Sequence, residues 1–249
     1  MVAVNRRIAG EGTSAEAWRL DAGLLAVPAI DCAQLVGAAR RVVIVAPHPD
    51  DEILACGGLL QQLTIPVTVI AVTDGEASHP GSATWTRARL QAVRPEETMA
   101  ALAVLGLDDV PVTRLHLPDG GVTPREDALA QALASLIAAD DLLLTTWRHD
   151  GHPDHEATAR ACATAARGCG ARLVEAPIWG WHWSRPGDAA MPFAQARRLM
   201  LDEATLARKR AALDCFESQL VTDAASGHDA ILTRNTLERL LNPFEMYFP

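Results

Sequence analysis

The chain has 249 residues, 49% of them hydrophobic and 21% charged, a composition that folds as an ordinary globular protein without help from disulfides or metals. Its 22 basic and 31 acidic residues leave a net charge of −9, which repels phosphate backbones and anionic lipid heads and argues against nucleic acid as a partner. No run of about 18 apolar residues is free of charge, and no apolar segment follows Arg6 and Arg7, so neither a membrane span nor export is expected.

Taken in chain order, the first 40 residues read as an opening helix packed on a larger body, with Thr13 and Glu16 spaced as a capping box. Val42–Ala46 is a β-branched run of the kind a fully buried strand needs, and Ile53–Leu63 is helix-like. Val67–Val72 repeats the strand pattern, and Thr86–Leu105 carries apolar residues at helical spacing and stops at Gly106. Leu115–Leu117 closes a third strand. Thr123–Ala139 reads as a helix with Pro124 in its first turn, Leu142–Trp147 as another apolar strand, and His155–Arg167 as a helix stopped by Gly168. In Trp179–Trp183, tryptophan at alternate positions predicts an extended segment with three indoles on one face; Leu201–Phe216 is again helical. Apolar strands alternating with helices predict an α/β fold, a Rossmann-like three-layer α/β/α arrangement with a mostly parallel sheet. The five cysteines, Cys32, Cys56, Cys162, Cys169 and Cys215, are odd in number and form no C-x-x-C pair, the pattern of reduced thiols in a cytoplasmic protein. Lys209 is the only lysine among the 22 basic residues.

Ligands of open parallel sheets bind beyond the carboxyl ends of the strands. Two such ends are densely polar: His48-Pro49-Asp50-Asp51-Glu52 after the first strand, and Arg148 to His155 after Leu142–Trp147. A catalytic zinc wants three His or carboxylate ligands and an open position. His48 and Asp51, three apart where a helix begins, can aim at one point. His152 or His155 supplies the third ligand if the two strands are neighbours. Either loop alone would pass for a polar turn, but both at the ends of buried strands argue for a site.

These motifs resemble the PIG-L/LmbE-like zinc de-N-acetylases, which carry an H-P-D-D-E loop and an H-P-D-H loop as His48–Glu52 and His152–His155 do here. The resemblance covers about residues 41–173, includes Thr73-Asp74-Gly75, Arg94-x-x-Glu97 and Asp119-Gly120-Gly121, and becomes diffuse from Trp179 onward. It implies that His48, Asp51 and His155 hold one Zn2+ per chain, with Fe2+ the other ion such a set accepts. Asp50 would be the general base and His152 an electrophilic or acid partner across the scissile carbonyl. Arg94 and Asp119 would contact the sugar. Asp74, Asp150 and Asp154 are read as groups that orient the site. Asp150 stands where relatives acting on thiol-linked sugars carry tyrosine, and the only tyrosine here is Tyr247.

The function implied is removal of an N-acetyl or N-acyl group from an N-acetylglucosamine-type sugar or glycoconjugate. The alternatives are a zinc amidase acting on a natural-product scaffold or thiol-sugar conjugate, and a non-catalytic sugar-binding relative. The expected partner is a small acetylated amino sugar or glycosylated metabolite; a homo-oligomer is compatible with the sequence. Residues 1–249 are read as one domain, with a catalytic core over about 40–180 and a substrate-selecting extension over about 180–249. No G-x-G-x-x-G follows the first strand, which removes a nucleotide-binding reading, and no H-x-H-x-D-H is present for a metallo-β-lactamase-type site. His79, His116, His149, His182 and His228 are expected outside the site, His149 being the nearest to it in sequence.

Overall fold

The structure is a computed structural model that describes residues 6–223, 227 and 229–249. Helices α1 (Ala15–Arg19) and α2 (Ala22–Leu25) lead to strand β1 (Ala29–Ile30) and α3 (Cys32–Val36). The central alternation follows: β2 (Arg41–Ala46), α4 (Asp51–Leu60), β3 (Val67–Thr73), α5 (Arg87–Val104), β4 (Val112–Leu117), α6 (Glu126–Ala134), β5 (Asp141–Thr146), α7 (Pro153–Cys169) and β6 (Arg172–Ala176). Beyond it lie α8 (Gly180–Trp183), β7 (Arg197–Met200), α9 (Glu203–Leu213), α10 (Glu217–Leu220), α11 (Arg234–Leu240) and β8 (Phe244–Tyr247).

The main sheet has the order β4-β3-β2-β5-β6, parallel throughout, which is the three-layer α/β/α fold read from the sequence. Its three inner strands, β3, β2 and β5, are buried on both faces because their side chains alternate between two cores. Val42 and Ile44 of β2 point into one core with Ile53, Leu59 and Leu102, while Val43 and Val45 point into the other with Leu129, Leu133, Ala157 and Ala161. The chain leaves β2 towards β3 and β4 and returns to β5 on the opposite side of β2. The sheet therefore has its switch point between β2 and β5, and the two polar loops begin side by side there.

Local signals explain the helix ends. Thr86 caps α5 by accepting the Arg89 amide, and Gly106 follows it with φ 76°. Helix α7 runs past Gly168 to Cys169, because Gly170, with φ 86°, takes the left-handed conformation that ends it. The stretch after Val122 starts as a 3₁₀ turn, Thr123–Arg125, and its α-helix stops at Ala134. Three short helices replace the single opening helix, and Ser14 caps α1 by accepting the Ala17 amide; the Thr13 hydroxyl donates to the Ser184 carbonyl instead.

A second sheet, β1-β7-β8, was not foreseen; β1 pairs parallel with β7, and β7 antiparallel with β8. It is joined to α4 through a break in that helix. Cys56 has φ −145° and ψ 19°, so Gly58 and Leu59 cannot donate to Leu54 and Ala55 as an unbroken helix requires. The Gly58 and Leu59 amides donate to Glu245 instead, at 2.6 and 2.7 Å. The freed Leu54 carbonyl accepts from Lys209 Nζ at 2.9 Å, and the Ala55 carbonyl from the Tyr247 hydroxyl at 3.4 Å. Lys209 and Glu245 close the arrangement with a buried 2.6 Å ion pair. The chain's only lysine thus mends the helix whose first turn carries Asp51.

Candidate active site

Both polar loops are shaped by bonds within the protein. The Thr73 hydroxyl donates to the Pro47 carbonyl at 2.8 Å, tying the turn after β2 to the end of β3. Asp50 follows with φ 118°, a costly conformation for a non-glycine residue. Its carbonyl accepts from Ile53 and Leu54 and its amide donates to Glu52, which fixes the residue at the start of α4. On the other side His152 caps α7, its Nδ1 accepting the Asp154 amide at 3.3 Å. A neutral His152 ring therefore carries its proton on Nε2.

Asp51 stands between two imidazoles. Its Oδ2 is 3.2 Å from His48 Nδ1 and 3.3 Å from His155 Nε2, and it also accepts the His48 amide. The other nitrogen of His155 lies 2.8 Å from Asp150 Oδ2. Asp150 is fully buried and accepts three more amides, those of Ile178, Trp179 and Gly180. One carboxylate therefore fixes the His155 ring and gathers the chain into the first turn of α8. This is why Trp179–Trp183 is not extended. With helical rather than alternating periodicity the indoles part: Trp181 packs on Trp18, Trp183 stacks on Trp147, and Trp179 lines the cavity at the site.

That cavity is about 310 Å3, and its walls include His48, Asp50, Asp51, Arg94, Asp119, His152 and His155. His48 Nε2 is 3.3 Å from Asp119 Oδ1 and 3.5 Å from Asp154 Oδ2, but the geometry is too poor for a hydrogen bond and the buried atom has no bonded partner. Asp119 and Asp154 are held by amides, Asp119 by Ala77 and Asp154 by Gly120 and Val122. Arg94 is buried, with Nη2 2.9 Å from Asp50 Oδ2. Asp74 is not part of this cluster; it binds Arg114 and His116 in a neighbouring groove. His116, His149 and His182 also lie outside the cavity walls, as does His79, whereas His228 falls outside the described residues.

The charges explain the acid–base bias. Burial drives the Asp50 pKa up to about 8, with Arg94 opposing the rise and Asp51 adding to it. For Asp51, burial is outweighed by His155 and His48, and the pKa falls far below the carboxylate range. Burial would lower His155, but Asp51 and Asp150 raise it to about 9. His152 is pushed down to about 3 by burial and by the charges of His155 and His48.

Such a set fits a divalent cation. His48, His152 and His155 offer nitrogens within 4.8 Å of one another, and Asp51 offers an oxygen between two of those rings. Buried carboxylates outnumber the single guanidinium among them. Nitrogen and oxygen donors of this kind suit zinc or iron(II). Asp150→Ala is expected to weaken metal binding by about 10- to 100-fold by freeing the His155 ring, measured by competition with a chelator.

Four contributors were not assigned a role from the sequence. Glu52 anchors the Asp50 amide, and its place in the H-P-D-D-E loop was the available signal. Gln219, Ile231 and Leu232 reach the cavity from the C-terminal region, and no local pattern marks them.

Fold and site together define a three-layer α/β protein with a histidine–carboxylate centre at the switch point of its sheet. A family model described as GlcNAc-PI de-N-acetylase (PIG-L) matches residues 43–166, and the chain carries a domain of that family. The chain is 32% identical over 137 residues to a probable N-acetyl-α-D-glucosaminyl L-malate deacetylase 2 of Bacillus anthracis, a match over 51% of this chain and 59% of that protein. It is 28% identical over 127 residues to diacetylchitobiose deacetylase of Thermococcus kodakarensis, covering 47% of this chain and 45% of that one. The matches thus span only about half of these curated relatives. The crystal structure of an A40926 pseudoaglycone deacetylase is similar over 84% of this chain and 96% of its own, at 25% identity and a TM-score of 0.61.

Proposed function

We propose that the protein is a metal-dependent amide hydrolase that removes an N-acetyl or N-acyl group from an N-acetylglucosamine-type sugar or glycoconjugate. The observation that carries this reading is the meeting of Asp50, Asp51, His48, His152 and His155 in one cavity at the strand ends, within the stretch that matches the PIG-L family. His48, Asp51 and His155 would hold one zinc or iron(II), which when bound supplies Lewis acidity and an acidified water.

Asp50 takes the proton of the attacking water and passes it to the departing nitrogen. His152, with its Nε2 proton, donates to the carbonyl oxygen as negative charge develops there. Amide and water become a carboxylate and an amine. Asp119 lines the same cavity, where its carboxylate would meet sugar hydroxyls, and Arg94 stands in the wall with its guanidinium on Asp50. Asp150 and Asp154 orient His155 and the loop bearing Asp119, and Asp74 supports the adjoining turn from outside the cavity. Residues of about 180–249 contribute Gln219, Ile231 and Leu232 to the wall and would select the substrate. The free thiols of all five cysteines support a cytoplasmic setting, and among the described residues no helix is long and apolar enough to cross a membrane.

A second reading, deacylation of a natural-product scaffold, is favoured by the apolar part of the wall, Leu54, Trp179, Ile231 and Leu232, which suits an aglycone or acyl chain. The presence of every residue of the proposed acid–base and metal set opposes a non-catalytic sugar-binding role. An amine-release screen over N-acetylglucosamine glycosides, thiol conjugates and N-acylated glycopeptides distinguishes these readings. Turnover of the glycosides supports the first, exclusive turnover of the glycopeptides the second, and release from none of them, with metal supplied, contradicts both.

A further inference from the structure

Arg94 lies in α5 with 2% of its surface exposed. Its guanidinium reaches two loops. Nη1 donates to the Gly75 carbonyl at 2.9 Å, in the loop after β3, and Nη2 donates to Asp50 Oδ2 at 2.9 Å and to the Pro49 carbonyl. The second pair of bonds brackets the residue with φ 118°, one on its side chain and one on the carbonyl just before it. Holding a non-glycine residue in such a conformation costs on the order of 1–3 kcal/mol, so something must restrain it. A planar fork with fixed donor directions can do this; an ammonium cannot hold such a set of acceptors in one plane.

The loop after β3 is built to admit the fork. Gly75 has φ 66°, and a Cβ there would lie 2.0 Å from Nη1 of Arg94. Three of the guanidinium's five N–H groups, and both of its terminal nitrogens, are therefore engaged within the protein, while the buried Nε has no hydrogen-bond partner.

We propose that Arg94, seated by Gly75, is the positioning residue that aims the Asp50 carboxylate into the cavity, and that its effect on catalysis passes through Asp50 and not through a sugar hydroxyl. The inference rests on Asp50 being the base. A carboxylate misplaced by an ångström can cost about 10²-fold in rate, and Arg94→Gln is expected to lower kcat by that order with KM unchanged. Gly75→Ala, which keeps the arginine but denies it its seat, is expected to lower kcat in the same way. In an Asp50→Asn background Arg94→Gln should cost nothing further, because both changes remove one function. Circular dichroism and metal content of each variant report folding and metal loading independently of turnover. A raised KM with kcat retained, or losses that multiply in the double variant, would overturn the positioning role while leaving Asp50 as base. Full activity of Asp50→Asn alone would instead overturn the reading of the base, and the inference with it.

Discussion

Asp50→Asn is expected to lose about 10²- to 10⁴-fold in turnover while keeping its fold and its metal. An amide side chain is close to isosteric with the carboxylate and can still meet Arg94, but it cannot accept the proton of the attacking water. The ligand proposed beside it, Asp51, is untouched, since its Oδ2 is the atom between His48 and His155. The comparison to make is kcat for amine release against metal content per chain. Loss of both together would mean that Asp50 is needed to build the site; loss of neither would remove it as the base.

The second large effect is expected far from the chemistry. Glu245→Ala deletes the acceptor of two α4 amides, of Lys209 Nζ and of the Tyr247 hydroxyl, all buried. It leaves an ammonium unpaired in the core and a helix break without its donors' partner. Removing one member of a buried ion pair costs about 3–5 kcal/mol, read as a fall in the urea midpoint. Lys209→Met in the same chain should recover part of the loss, because the stranded charge disappears although the two amides stay unpaired. If Glu245→Ala melts like the parent, the pair does not hold α4 together and the link between the two sheets lies elsewhere.

Four of the five strands of the main sheet were legible, because β-branched and leucine-rich runs such as Val42–Ala46 and Leu142–Trp147 have few alternatives to a doubly buried strand; the edge strand β6, Arg172–Ala176, has charged residues at two of its five positions and was not read. The site was legible for a related reason: its polar loops follow those runs directly, and β2 and β5 are neighbours. What stayed hidden depends on partners distant in the chain. Trp179–Trp183 carries the alternation of a strand, yet the Asp150 carboxylate, 28 to 30 residues earlier, captures its first amides and winds it into a helix. Arg94 is 44 residues from Asp50 in sequence but a single hydrogen bond away in space, so nothing local to α5 pairs the two. Glu97, three residues on, accepts the Ser218 amide and hydroxyl at 2.7 Å and holds α10, placing Gln219 beside the cavity. The second sheet is made of strands of two to four residues, too short to leave a periodic signature.

On the proposed function, one divalent metal held by His48, Asp51 and His155 is required for hydrolysis of an acetylated amino sugar. The most direct measurement follows acetate release from an N-acetylglucosamine glycoside by the purified protein, then after chelation, then after zinc or iron(II) is restored, with metal content determined at each stage for the parent and for His155→Ala. About one metal per chain is expected in the parent, with activity lost with the metal and regained with it, and little metal in His155→Ala. Acetate release that persists in the stripped protein, or a full metal complement in His155→Ala, would contradict it.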